Sequence, residues 1–163
     1  MSVREIRLFG DPILKTRCEL IADPAKAKQL IQDLIDTTTL PGRAGVAANQ
    51  IGVGLRAFAF NVDGQIGYLI NPEIIELEGE PELIDEGCLS VPGLWQKTQR
   101  YPTAAARGFQ LDGSEIVVRG HGLLAQALQH EVDHLDGFLY LDRLSAEERK
   151  LAFKNLREQP WFN

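Results

Sequence analysis

The segment Gly122–Leu135 is so rich in apolar residues that we expect it to form a helix inside the protein. A surface helix keeps one polar face, whereas a helix that is apolar on most sides must be buried. Gly137, just past the segment, is the residue type that often ends helices. The rest of the chain must therefore fold around this helix, whose apolar residues include Leu123, Leu124, Ala127, Leu128, Val132 and Leu135.

The rest of the sequence predicts helices near both ends and strands between them. One helix should start after Asp23-Pro24 and end by Pro41, and another should run from Ser145 to about Arg157. Residues 42–52 read as a loop or a tight strand entry. This order predicts an α+β fold with mostly antiparallel sheets packed around the central helix. The predicted strands are Arg56–Asn61, Gln65–Ile70, Glu73–Glu78, Ala104–Leu111 and Glu115–Arg119, with Asp-Gly turns in two hairpins.

Composition narrows the class of protein. The chain has 163 residues, 44% of them hydrophobic, and no linker-like segment, so we expect one catalytic domain over residues 1–163. The net charge of −6 disfavours nucleic acid as a partner. We find no apolar run long enough to cross a membrane and no signal-peptide pattern at the N-terminus. Two cysteines are too few for a disulfide framework, so a cytoplasmic location is expected.

The most specific motif is His130-Glu131-Val132-Asp133-His134. Residues four apart share one face of a helix, so His130 and His134 can bind one metal ion from adjacent turns. Glu131 lies beside the first histidine and can reach a water on that metal. The motif predicts a metal site on the buried helix, whereas the alternative is two unrelated histidines.

A catalytic metal site usually has three protein ligands, so a third must be found. Zinc peptidases with this motif take it from downstream, where the acidic residues look like turn and helix-start residues. Upstream, Cys88 lies in Glu86-Gly87-Cys88-Leu89-Ser90 and can offer a thiolate. Taken alone, a lone cysteine is more often a small buried apolar residue. The downstream candidates are Asp136, Asp142, Glu147 and Glu148.

A third segment, residues 42–50, is rich in glycine and alanine and ends in Gln50. Small residues let the backbone approach another group closely. The Gln50 amide is either a solvated loop group or a donor aimed at a developing oxyanion.

Together, Arg43–Gln50, Glu86–Ser90 and Gln129–His134 resemble the signature of the peptide deformylases in order and approximate spacing. The resemblance extends to Phe9–Leu14 near the start of the chain and to Gly122–Ala125 before the histidine motif. It departs at Arg43, where the family has glycine, and at Gln126, where an apolar residue is common. These departures concern the shape of the pocket rather than the metal chemistry.

The resemblance implies a metallohydrolase that removes the formyl group from the N-terminal formyl-methionine of nascent proteins. Cys88, His130 and His134 would bind one divalent metal, which supplies hydroxide at neutral pH. Glu131 would be the general base that later protonates the leaving amine. The Gln50 amide and the backbone N–H of Leu89 would hold the oxyanion.

Further expectations concern the substrate, the metal and the partners. The family resemblance suggests Fe(II), with Zn, Ni or Co able to replace it, although these donors alone would suggest zinc. Asp133 and Gln129 are candidates to hold the metal-binding imidazoles. The last helix carries basic residues that could dock on the ribosome, but its glutamates reduce its positive charge and disfavour this contact. The substrate pocket should draw on Gly45, Val46, Ile84, Leu123 and Ala127. Core packing is the simpler explanation for each of the four apolar side chains, and it is the favoured one for Val46.

Two rival functions remain open from the residues. One is a zinc peptidase with a downstream third ligand. The other is a structural metal site in a binding module, which would need four protein ligands. The sequence offers only three good candidates for metal ligands.

Overall fold

The computed structural model describes residues 3–162. The α+β class expected from the sequence is confirmed. The strands are β1 Gly45–Ala47, β2 Ala57–Val62, β3 Gln65–Glu78, β4 Glu82–Cys88, β5 Val91–Arg100, β6 Thr103–Phe109 and β7 Glu115–His121, and the helices are α1 Lys28–Thr38, α2 Leu123–Leu135 and α3 Ala146–Leu156. Five antiparallel strands form the main sheet in the order β1-β2-β3-β6-β7, and β4 and β5 form a separate hairpin.

The side chains of β2 point alternately to the two faces of the main sheet, and each face packs against a different helix. Ala57 and Ala59 pack into the cluster that contains Ile31 and Leu34 of α1. Phe58 and Phe60 point to the opposite face and pack into the cluster that contains the apolar residues of α2. Successive side chains of a strand point to opposite faces, so this strand carries small residues toward α1 and large ones toward α2.

The β4–β5 hairpin contacts the side of α2 that carries His130 and Asp133, and α3 packs on the hairpin. Ala152 and Leu156 of α3 share a buried cluster with Val91 and Leu94 of β5. The hairpin is also in contact with the segment after α2, through Tyr140. Most of α2 is consequently buried: His134 lies below the surface, and His130 is partly buried and faces the cavity.

Several sequence predictions hold with small shifts. The Asp23 side chain caps a short 3₁₀ turn, Pro24–Ala27, which leads directly into α1. The Ser145 side chain accepts a hydrogen bond from the Glu148 N–H at the start of α3. Asp63 and Gly64 both have positive φ and turn β2 into β3, as an Asp-Gly hairpin requires.

Two predictions of secondary structure were wrong. The segments Gln65–Ile70 and Glu73–Glu78 belong to one strand, β3, whose pairing with β6 is interrupted where Asn71 has a positive φ. No strand was predicted over residues 82–100, yet this stretch forms the β4–β5 hairpin. Within residues 3–162, no helix has the length and apolar character needed to cross a membrane.

Candidate metal centre and active site

Three potential metal ligands converge where the end of β4 meets α2. The ligand atoms of Cys88, His130 and His134 all lie within 4.8 Å of one another. The Nε2 atoms of the two histidines are 3.1 Å apart, and Cys88 Sγ is 3.3 Å from His134 Nε2. Two imidazole nitrogens and one thiolate are donors that a borderline divalent metal accepts, so the residues fit such an ion.

The upstream candidate thus supplies the third donor. Downstream of the motif, Asp136 pairs with Arg56, and Asp142 pairs with Lys15. These carboxylates are engaged elsewhere, and among residues 3–162 the group that could hold a metal is Cys88 with the two histidines. A fourth protein ligand, which a structural zinc site would need, is not found in this part of the chain.

The ring of His130 is oriented by a buried carboxylate. Glu86 Oε2 lies 2.8 Å from His130 Nδ1, so the Nδ1–H can donate while Nε2 faces the other two ligands. Arg100 donates to both oxygens of Glu86. Burial would raise the pKa of Glu86, but the hydrogen bonds from Arg100 and His130 hold it well below its usual range. The ring of His130 is therefore held by the ionised carboxylate of Glu86.

Glu131 lies next to the ligand cluster with one oxygen uncommitted. Its side chain is buried, and within the described residues Oε1 has no hydrogen-bond partner. Burial raises the pKa of Glu131 to about 7, which suits a group that takes up and releases protons at neutral pH. Gly45 of β1 makes room for this carboxylate, because a Cβ at that position would lie 2.7 Å from Oε2.

Gln50 places an amide donor beside the thiol. Its Oε1 accepts a hydrogen bond from the Ala47 N–H, and this fixes which way the amide points. Its Nε2 donates to Ser90 Oγ at 3.1 Å and lies 3.7 Å from Cys88 Sγ. Leu89 occupies the turn between β4 and β5, next to Cys88. Gln50 and Leu89 both line the same cavity as the ligands.

That cavity has a volume of about 750 Å³, which is ample for several residues of a peptide. His130 and Glu131 lie in its wall, together with the β4–β5 turn. Of the five residues expected to bind substrate, three line it: Gly45, Leu123 and Ala127.

Val46 and Ile84 do not line the cavity, which corrects two of the sequence expectations. Val46 follows Gly45 on a strand, so its side chain points to the other face of the sheet and packs beneath α1. Ile84 lies on β4 opposite Thr98, just before the stretch Asp85–Cys88 that lines the cavity. Arg43 and Gln126, where the sequence departs from the family pattern, do line the cavity.

Sequence reasoning chose the wrong residues to hold the imidazoles. Asp133 pairs with Arg100 and Arg143, and Gln129 hydrogen-bonds to the backbone of Tyr101. Among the hydrogen bonds of the described residues, neither side chain is bonded to a histidine ring. Glu86, Arg100 and Ser90 were missed, although the glutamate in the Cys88 motif was a signal that the carboxylate lies near the metal ligands.

Metal-dependent hydrolysis is the chemistry that this fold and this arrangement of donors support. A family model described as polypeptide deformylase matches residues 3–150. The chain belongs to the peptide deformylase family, enzymes that use a divalent metal to remove the N-terminal formyl group from new proteins.

Bacterial peptide deformylases match this chain over nearly all of its length. A peptide deformylase of Acidothermus cellulolyticus is 49% identical over 162 residues, covering 99% of this chain and 89% of that protein. Peptide deformylase 1 of Corynebacterium glutamicum is 43% identical, covering 100% of this chain and 99% of that protein.

Solved structures of peptide deformylases have the same fold as this chain. The peptide deformylase of Thermus thermophilus superimposes with a TM-score of 0.89 at 33% identity, covering 96% of this chain and 94% of that chain. The enzyme of Ehrlichia chaffeensis, in complex with actinonin, has a TM-score of 0.87 at 31% identity and covers 99% of both chains.

Proposed function

We propose that this chain deformylates formyl-methionyl peptides at a metal bound by Cys88, His130 and His134. The observation that carries the proposal is the convergence of these donors beside Glu131 in the wall of one cavity. When bound, the metal supplies Lewis acidity and a nucleophile at neutral pH. The remaining roles belong to side chains and backbone groups of the chain itself.

Glu131 is the proton carrier in this proposal. As water attacks the formyl carbon, the carboxylate accepts a proton from it, and the proton passes to the peptide nitrogen as the C–N bond breaks. The products are formate and a free amino terminus. The uncommitted Oε1 and the pKa near 7 support both halves of this transfer.

The negative charge that develops on the formyl oxygen is assigned to Gln50 Nε2 and the backbone N–H of Leu89. The position of Gln50 beside Cys88 supports its part, because the amide is already oriented by Ala47 and Ser90. No reorganisation of the amide is needed during the reaction.

For the substrate, we propose that the methionine side chain packs against Leu123 and Ala127 of α2. Gly45 lets the peptide backbone pass close to Glu131. This is supported by the three residues lining one cavity on the same side as the ligands. Arg43 and Gln126 add polar groups to the same wall, so the pocket is less apolar than the family pattern implies.

We propose Fe(II) as the metal in the cell, with Zn, Ni or Co able to replace it. The family resemblance suggests iron, and a set of two imidazoles and one thiolate accepts each of these ions. Metal analysis of protein purified without oxygen, compared with protein purified in air, distinguishes iron from zinc.

We also propose one catalytic domain acting on nascent chains in the cytoplasm, where formylated proteins are made. The site draws on β1, β4 and α2: β1 and α2 share one buried cluster, and Glu86 and Cys88 of β4 contact the histidines of α2. For a transient ribosome contact, α3 offers exposed Arg149, Lys150 and Lys154, although Glu147 on the same helix is exposed too.

The experiment that tests this function uses formyl-Met-Ala and an otherwise identical acetylated peptide. The protein should release formate from the first and no acetate from the second. It should lose activity when a chelator removes the metal, and should regain it on adding one equivalent of Fe(II) under anaerobic conditions. No formate release from the metal-loaded protein would overturn the proposal.

A further inference from the structure

Gln126 lies at a junction between the substrate cavity and the metal centre. It is on α2, one turn before His130, and it lines the cavity. Its Nε2 donates to Glu86 Oε1 at 3.1 Å and to the backbone oxygen of Asp85 at 3.0 Å. A cavity-wall side chain is therefore bonded to the carboxylate that orients His130.

The bonds around Glu86 show what this contact adds. Oε2 accepts from Arg100 Nη2 and faces His130 Nδ1, whereas Oε1 accepts from Arg100 Nε and from Gln126. Without Gln126, Oε1 would keep one donor, Arg100 Nε. The Gln126 amide approaches from α2 itself, so it ties Glu86 to the helix that carries the histidine.

We propose that Gln126 is a positioning residue that fixes the Glu86 carboxylate and, through it, the ring of His130. This rests on the proposed metal site and deepens it. An apolar residue at this position would have no donor for Glu86, and the carboxylate would then be held only by Arg100 and His130. Outer hydrogen-bond partners of this kind set metal affinity as well as ligand orientation.

The competing interpretation is that Gln126 only shapes the pocket. A pocket residue changes KM for formyl peptides and leaves the metal unaffected. A positioning residue changes how fast the metal is lost in the absence of any substrate. The two roles therefore differ in a measurement that involves no catalysis.

The test is the rate at which Co²⁺-loaded protein loses its metal to excess chelator, followed by the visible absorption of thiolate-bound Co²⁺. Gln126→Leu should lose Co²⁺ between about threefold and tenfold faster than wild type, below the about 10–100-fold effect of changing the direct partner of a metal ligand. Leu123→Ala is the matched control, because Leu123 lines the same cavity on the same helix and its side chain has no donor for Glu86. It should change KM and leave Co²⁺ loss within about twofold of wild type.

A double variant shows whether the effect passes through Glu86. Glu86→Gln alone should accelerate metal loss by about 10–100-fold, and adding Gln126→Leu should accelerate it little further. Melting temperatures establish that each variant is folded. Wild-type Co²⁺ loss in Gln126→Leu, or full additivity in the double variant, would overturn the proposal. Failure of wild type itself to bind Co²⁺ would overturn the metal site instead.

Discussion

Gly45 and Glu131 are in such close contact that a Cβ on Gly45 would lie 2.7 Å from Oε2 of the carboxylate. The strand that lines the cavity therefore passes directly over the proposed proton carrier. The backbone of Gly45 does not lie in the left-handed region, so proximity to Glu131 is what makes glycine necessary here.

Gly45→Ala should displace the Glu131 carboxylate and slow turnover by about 10²-fold, since a misplacement of about 1 Å costs that much. The metal should remain bound, because Gly45 is not one of the three ligands. The measurement is kcat on formyl-Met-Ala with metal content determined in parallel. Gly54→Ala is the control, since a Cβ on Gly54 would meet no atom within 4 Å. Equal kcat in both variants would contradict the proposed contact.

Cys88→Ser should lose most of its metal or most of its activity. A serine hydroxyl is a far poorer ligand than a thiolate for a borderline-soft metal. The checks are metal content after dialysis and turnover of formyl-Met-Ala. Cys18→Ser is the comparison, because Cys18 is buried in the cluster beneath α2 and its burial raises the thiol pKa to about 11. Full metal content and wild-type turnover in Cys88→Ser would remove Cys88 from the site.

Gln50→Leu should keep its metal and lose about 10²–10³ in kcat, the usual effect of removing one oxyanion donor. Some stability should be lost as well, about 1–3 kcal/mol, because the buried Ala47 N–H loses its acceptor. Turnover measured well below the melting temperature separates the two effects. An unchanged kcat would leave Gln50 with a purely structural role.

Arg100→Leu should destabilise the fold by about 3–5 kcal/mol, because Glu86 and Asp133 would be left as buried charges without their shared partner. Denaturant unfolding gives the difference in free energy. Arg107→Leu should cost no more than about 1 kcal/mol, since its ion pairs with Glu73 and Glu115 are exposed. Similar losses in both variants would mean that the buried network contributes no more than a surface pair.

The sequence predicted the parts of the molecule in which one pattern had one physical interpretation. The apolar content of Gly122–Leu135 required a buried helix, and that helix is α2. The spacing of His130 and His134 required a shared helix face, and their Nε2 atoms meet. Cys88 was one of two sources for the third ligand, and the structure brings it to the histidines.

The β4–β5 hairpin was missed because its strands carry weak signals. Glu82–Cys88 is rich in acidic residues, and Pro92 and Gly93 interrupt the start of the alternating pattern in Val91–Arg100. The hairpin is formed because its inward residues, such as Glu86 and Arg100, find buried charged partners. Pairing of this kind depends on contacts distant in sequence and leaves no local periodicity.

A local sequence pattern could not identify the residues that hold His130 either. Asp133 and Gln129 are near the histidines in sequence, but they lie on sides of α2 that face Arg100, Arg143 and the Tyr101 backbone. Glu86 reaches His130 only after the hairpin has folded onto the helix. Tertiary contacts decide which of several nearby carboxylates orients a ligand.

The most direct test of the account is the turnover of a Glu131→Gln variant with its metal content measured on the same sample. Glutamine keeps the size and hydrogen-bonding reach of the side chain and removes the basic carboxylate. Metal should stay at one equivalent, and kcat on formyl-Met-Ala should fall by at least the about 10²–10⁴-fold typical of losing a general base. A fully metal-loaded variant that keeps more than about a tenth of the wild-type rate would contradict the assignment of Glu131 as the proton carrier.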